Sequence, residues 1–164
     1  MSDGSLRIEP ARPEDVALLL ELIRELAEFE KGLHEVVATE EGLADGLFGE
    51  RPGAEAVVAR LGGEAVGFAL FFTNFSTWEG RRGLYLEDLY VRPAARGRGV
   101  GRALVAWLAR LASERGCRRL EWWVLDWNES AIRFYRSLGA LPMDEWTVYR
   151  LTGESLGRLA AEAG

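Results

Sequence analysis

Between Leu84 and Leu104 the chain reads Leu-Tyr-Leu-Glu-Asp-Leu-Tyr-Val-Arg-Pro-Ala-Ala-Arg-Gly-Arg-Gly-Val-Gly-Arg-Ala-Leu. No other stretch limits the fold as strongly. Leu84 to Val91 is a largely apolar run suited to a strand, and Pro93 ends it. Glycines at 97, 99 and 101 then make a tight turn. Leu104, Val105, Trp107, Leu108, Leu111 and Ala112 follow with helical spacing, up to a stop at Gly116. Closely spaced glycines let backbone N–H groups converge on an anion. The free N–H groups and dipole at a helix N-terminus favour the same negative charge. Arg96, Arg98 and Arg102 add forked donors that suit phosphate. A strand, a turn from Arg96 through Gly97, Arg98, Gly99, Val100 and Gly101 to Arg102, and a helix are therefore expected to grip a pyrophosphate.

The remaining elements fall around this unit. Leu6 to Glu9 reads as a short strand. Pro13 suits the first turn of a helix whose apolar residues run from Val16 to Phe29, with Glu14 and Asp15 at its positive end. Thr39 can cap a second helix. Ala56 to Leu61 and Val66 to Phe72 are strands joined by a hairpin turn at Gly62-Gly63. Thr73 to Gly83 reads as a polar loop or irregular hairpin. Leu120 to Leu125 is a strand, and Asn128 caps a helix from Glu129 to Leu138 that stops at Gly139. Trp146 to Leu151 is a last strand, and Gly153 to Ala163 a small helix. The predicted order is βααβββαβαβα. It describes a mixed α/β (α+β) fold over one domain, residues 1–164, because hairpins precede a single β-loop-α-β unit.

Composition removes several function classes. The chain of 164 residues buries roughly 70% of its extended surface on folding and needs no staples. The single cysteine, Cys117, excludes a disulfide framework. With His34 the lone histidine, soft ligands are too few for a catalytic zinc, and no metal is expected. No apolar run reaches a membrane span. Met1 to Pro10 lacks the basic and apolar regions of a signal peptide, so a soluble cytoplasmic protein is expected. A net charge of −6 argues against nucleic-acid binding. Its distribution is uneven: residues 1–50 hold 13 acids against 4 bases, and residues 81–119 hold 10 arginines against 3 acids. One cationic and one anionic ligand would suit the two regions; an uneven solvated surface would look the same.

Three pyrophosphate ligands compete for the glycine turn. A P-loop needs Gly-Lys-Ser/Thr, and no lysine stands here. A dinucleotide fold needs Gly-x-Gly-x-x-Gly near the start of a parallel sheet. Here the third glycine comes one place early, after three strands and two helices, although Glu121 stands about where a ribose-binding acid would. Coenzyme A is the third option. Arg96-x-x-Gly99-x-Gly101 after a strand, then Asn128, Phe134-Tyr135 and Gly139, resembles the GNAT superfamily of acetyl-CoA-dependent N-acetyltransferases. Glu25-Leu-Ala, Phe29-Glu30, Gly67-Phe68-Ala69, Tyr85-Leu-Glu-Asp88 and Trp127-Asn-Glu129 are similar to its spermidine/spermine branch, which includes the diamine and thialysine acetyltransferases.

The resemblance implies a mostly antiparallel, twisted sheet with helices on both faces, and acetyl-CoA as co-substrate. It implies a homodimer that acetylates a primary amine of a small cation. It assigns proton removal to Glu87, through water, and substrate contact to Asp88, Glu30 and Trp78. Tyr135 becomes the general acid and Asn128 a cofactor contact. A strand bulge at Leu89, Tyr90 and Val91 would offer backbone N–H groups to the cofactor. Elementary chemistry asks for such a set: the attacking amine must lose a proton, and the oxyanion and the departing thiolate need donors. Each residue also has a structural use: Glu87 and Asp88 as paired acids, Tyr135 as a core tyrosine, Asn128 as a cap. Ser76 stands where the polyamine enzymes carry an acid, and Ser130-Ala131 replaces a Pro-Ser pair. These departures admit smaller amines such as thialysine or a diamine. A non-catalytic acyl-CoA-binding domain and a protein N-acetyltransferase are the alternative readings.

Overall fold

A computed structural model describes residues 4–164. Met1 to Asp3, the start of the segment expected not to be a leader, lie outside the described residues. The packing divides into two compact units, residues 1–127 and 128–164, and each is described by itself.

The first unit holds strand β1 (Leu6–Pro10), helices α1 (Val16–Phe29) and α2 (Glu40–Phe48), strands β2 (Glu55–Leu61), β3 (Glu64–Ser76) and β4 (Arg81–Val91), helix α3 (Val100–Glu114) and strand β5 (Leu120–Trp122). The strands form one sheet in the order β1-β2-β3-β4-β5. All neighbours are antiparallel except β4 and β5, which are parallel. This is the expected mixed sheet, with the strand-turn-helix unit supplying its parallel pair.

Strand alternation sorts the core into two layers. Val57, Ala59, Ala69, Phe71, Leu84 and Leu86 pack with Val100, Leu104 and Leu108 of α3. Val58, Phe68 and Leu70 turn to the other face and pack with Leu19 and Leu22 of α1 and Leu47 of α2. Helices therefore cover both faces. Gly62 and Gly63 both have positive φ, as the two-residue turn between β2 and β3 requires. Thr39 Oγ1 accepts from the Gly42 N–H at 3.1 Å and caps α2 as expected.

The hairpin between β3 and β4 is longer than its sequence suggests. Both strands run on to a four-residue turn, 77–80, and Ser76 Oγ accepts from the Glu79 N–H within it at 3.2 Å. Thr73 to Ser76 alternate in exposure, so this polar stretch is strand with one face in solvent.

The second unit contains helices α4 (Glu129–Ser137) and α5 (Gly153–Ala160). The expected strand from Trp146 to Leu151 is not formed. The segment opens on a turn instead, with the Trp146 N–H donating to the Met143 carbonyl at 3.2 Å. Its apolar side chains stay in solvent, with Trp146 at 67% and Tyr149 at 93% exposure.

Candidate active site

The site begins at an irregularity in β4. Leu86 lies opposite Phe71 and Asp88 opposite Leu70, so Glu87 has no partner of its own on β3. It is the extra residue of a β-bulge, and a bulge bends and twists the strand that carries it. The bulge precedes the place expected: Leu89, Tyr90 and Val91 pair in register with Ala69, Phe68 and Gly67. Gly67 explains how closely these strands approach, because a Cβ there would stand 2.5 Å from the Tyr90 carbonyl oxygen. On the other side of β4, pairing with β5 stops at Leu86, immediately before the bulge. Residues 87–91 therefore present an edge with no strand neighbour on that side among the described residues.

Strict alternation would put Glu87 and Asp88 on opposite faces. The bulge breaks that rule, and the two carboxylates act on each other. Burial first, and then the charges of Glu87 and Glu30, push the Asp88 carboxyl up to about 7. Burial also raises the carboxyl of Glu30, which follows α1. Acids from two elements thus converge, while Glu87 itself is exposed. The linkage has a definite sign. Folded Asp88 keeps its proton where the unfolded chain has lost it, so native stability falls as pH rises from about 4 through about 7. Asp88→Asn should stabilise the fold by about 2–4 kcal/mol above that window and by little below it. Thermal melts at pH 4 and pH 8 check this; an equal change at both would contradict it.

The glycine turn follows. Val91 leads through Arg92 into a short 3₁₀ turn at Pro93–Ala95, whose Ala95 is buried in the α3-side core. Gly97 and Gly99 have φ of 76° and 79°, the left-handed region that glycine enters without strain. Gly99 is the N-cap of α3 and supplies no side-chain oxygen, so the helix begins with its first N–H groups bare. Among the described residues, no carboxylate forms an ion pair with Arg96, Arg98 or Arg102, whereas Arg60, Arg92 and Arg115 are all paired. Bare N–H groups beside unneutralised guanidinium groups fit a polyphosphate.

Arg96 links this turn to the end of α1. Its Nε donates to the Val91 carbonyl oxygen at 3.0 Å, and its guanidinium lies 5.0 Å from the Phe29 ring centre and 5.9 Å from that of Tyr90. Phe29 also meets Trp127 at 6.2 Å. Arg92 fixes the same helix from behind. It donates to Glu21 at 2.6 Å, to Glu25 at 2.9 Å and to the Ala65 carbonyl at 3.1 Å. Arg92 and the Phe29–Trp127 contact were absent from the sequence expectations; Glu25 and Trp127 stood in the family-like motifs without a role.

The remaining expected residues stand on other elements. Trp78 is exposed at the tip of the β3–β4 hairpin. Six positions of β4, a contour of about 20 Å, separate Arg81 at the base of that tip from Glu87. In the second unit, Asn128 Oδ1 caps α4 by accepting from the Ala131 N–H at 3.2 Å. Tyr135 sits half-buried on α4, its ring 5.6 Å from that of Phe134. His34 is exposed, and no cluster of three or more metal-ligating side chains stands among the described residues.

Residues 18–140 match the family model described as Acetyltransferase (GNAT) family, a span that crosses the boundary between the two units. The chain belongs to the GNAT acetyltransferase family. Members of this family use acetyl-CoA as co-substrate. The GNAT chain is 42% identical to the thialysine N-epsilon-acetyltransferase of Mus musculus, over 96% of this chain and 98% of that protein. It is 33% identical to an L-ornithine N5-acetyltransferase of Arabidopsis thaliana, over 92% of this chain and 86% of that one. Among solved structures, an integron cassette protein from V. cholerae superposes with a TM-score of 0.79 at 31% identity, covering 98% of each chain. This protein is therefore a GNAT enzyme, an N-acetyltransferase.

Proposed function

We propose that this enzyme transfers the acetyl group of acetyl-CoA to a primary amine of a small cationic acceptor, a diamine, polyamine or thialysine-like compound, by direct attack. The observation that carries the reading is the convergence of Glu30, Glu87 and Asp88 at the β4 bulge. Clustered carboxylates repel one another, and an ammonium placed among them relieves that repulsion. The thialysine and ornithine enzymes among its relatives act on acceptors of this kind by name. Residues 1–164 act as one domain, a reading supported by the family match across both units.

Acetyl-CoA supplies an acetyl group already activated as a thioester. Arg96, Arg98, Arg102 and the backbone of Gly97, Gly99, Val100 and Gly101 hold its pyrophosphate, with Asn128 as a further contact. Backbone N–H groups among Leu89, Tyr90 and Val91 serve the cofactor along the open edge of β4. Glu30 and Asp88 hold the reacting amine of the acceptor, and Trp78, at the hairpin tip, contacts the far end of an extended one. Glu87, exposed to solvent, takes the amine proton through water. Tyr135 returns a proton to the departing thiolate. The raised carboxyl of Asp88 favours a second assignment, in which Asp88 itself is the proton acceptor, because a base near neutrality is matched to its task.

The pH–rate profile separates the two. An amine with a pKa near about 10.4 needs a base at pH 7 and needs none near its own pKa. Glu87→Gln should therefore lower kcat/KM most near neutrality, with the defect shrinking as pH rises. A profile parallel to the parent removes Glu87 as base; the shrinking defect in Asp88→Asn instead gives the role to Asp88.

The exposed apolar run Trp146 to Leu151, with its strand-like composition, supports a homodimer in which this segment is covered. Sedimentation at micromolar concentration should give twice the chain mass, and a monomer would count against it. The reading is of a cytoplasmic enzyme without nucleic-acid or membrane partners, in keeping with its net charge of −6. No described helix is long and apolar enough to cross a membrane.

A further inference from the structure

We infer that Lys31 receives the carboxylate of an acceptor that is an amino acid with a terminal amine, and so favours such acceptors over plain diamines. The inference rests on the acceptor class proposed above and narrows it.

Lys31 is the sole lysine of the chain, set in its most acidic region. Its φ of 62° makes it the one non-glycine residue among the described ones in the left-handed region. Its N–H donates to the Glu28 carbonyl at 3.0 Å, closing the end of α1 at the position where glycine is the usual choice. A lysine there carries a backbone cost that glycine would avoid, and such strain clusters where a side chain has a use. The side chain is held in a definite place: its ammonium stands 4.6 Å from the Trp127 ring centre. That ring also meets Phe29, two residues before Lys31. Among the described residues no carboxylate forms an ion pair with Lys31, although Glu28, Glu30 and Glu35 are close in sequence. An aromatic face orients a cation and leaves its charge unneutralised.

Lys31 directly follows Glu30 in the chain, and the charge of Glu30 reaches Asp88. The end of α1 thus carries both signs: Glu30, one of the carboxylates for the amine that reacts, and the ammonium of the next residue, held on the Trp127 ring. A diamine would bring its second ammonium toward a like charge. An amino acid with a terminal amine would bring a carboxylate toward an opposite one. Both effects discriminate in the same direction.

The test uses matched pairs that differ only by the carboxylate, L-ornithine against 1,4-diaminobutane and L-lysine against 1,5-diaminopentane, at saturating acetyl-CoA. Lys31→Met keeps the apolar stem and removes the charge; Lys31→Arg keeps the charge. The ratio of kcat/KM for amino acid over diamine should fall about tenfold in Lys31→Met, chiefly through KM for the amino acid. Lys31→Arg should hold the ratio within about threefold of the parent. Should Lys31→Met fold poorly, Lys31→Gly suits the left-handed backbone and should show the same fall. An unchanged ratio in an uncharged variant that still acetylates either compound overturns the inference and leaves the proposed function standing. An Lys31→Arg ratio equal to that of Lys31→Met overturns the charge argument as well. A parent enzyme that acetylates no member of either pair overturns both the inference and the acceptor class beneath it.

Discussion

Tyr135→Phe is expected to lower kcat by about 10²–10⁴-fold, the usual worth of a positioned acid, while acetyl-CoA affinity and the fold barely change. The substitution removes one hydroxyl from a half-buried ring that packs beside Phe134 on α4, so little volume is lost. Its backbone carbonyl, which accepts the Leu138 and Ala140 N–H groups at 3.1 and 3.2 Å, is untouched. A thiolate expelled without a proton is the poorer leaving group, and a phenol can supply that proton and recover it from solvent. Raising the pH substitutes for a missing base but not for a missing acid. The Tyr135→Phe defect should persist at high pH, where that of Glu87→Gln shrinks. Steady-state rates from pH 6.5 to 10, beside calorimetric acetyl-CoA titration, check this. A rate within a few-fold of the parent would remove Tyr135 from the chemistry.

Gly101→Glu is expected to abolish measurable acetyl-CoA binding without unfolding the chain. Gly101 lies in the first turn of α3 and, unlike Gly97 and Gly99, does not have positive φ. A side chain there adds no left-handed strain, and a glutamate in a first helical turn is favoured by the helix dipole. Stability should hold or rise. Binding should fail because a carboxylate then occupies the place of the anion the N-terminus serves. Opposite effects on fold and ligand make the outcome specific: circular dichroism should match the parent, and calorimetry should show no heat of acetyl-CoA binding. Unchanged affinity in the folded variant would move the cofactor elsewhere.

Elements with local causes were legible in the sequence. The glycine pair at 62–63, the Thr39 and Asn128 caps and the strand-turn-helix from Leu84 to Glu114 each declare themselves by turn chemistry or periodicity, and each is present. What was not legible depends on a partner strand. The bulge at Glu87 is a mismatch between β4 and β3, and no residue of β4 alone reveals it. β5 reads as longer than its three paired residues because its apolar sequence continues after β4 has turned away. Trp146 to Leu151 has a strand's composition but does not form one. The site shows the same division. The arginines and glycines between Arg96 and Arg102 suggest an anion site through their spacing, and the turn and helix they predict are present. The convergence of Glu30 with Asp88, and the Lys31–Trp127 contact, join residues more than fifty positions apart. Only the packing of α1 shows them.

Acetyl transfer from acetyl-CoA to a panel of small amines, followed by free-thiol release and by mass analysis of the acceptor, tests the central claim most directly. The panel spans diamines, polyamines, thialysine, ornithine and lysine, with a basic peptide as a protein-like control. The account predicts one thiol released for each acetyl group found on a primary amine of a small acceptor, with the basic peptide left unmodified. Acetyl-CoA bound but no amine acetylated, or acetylation confined to the peptide, would contradict it.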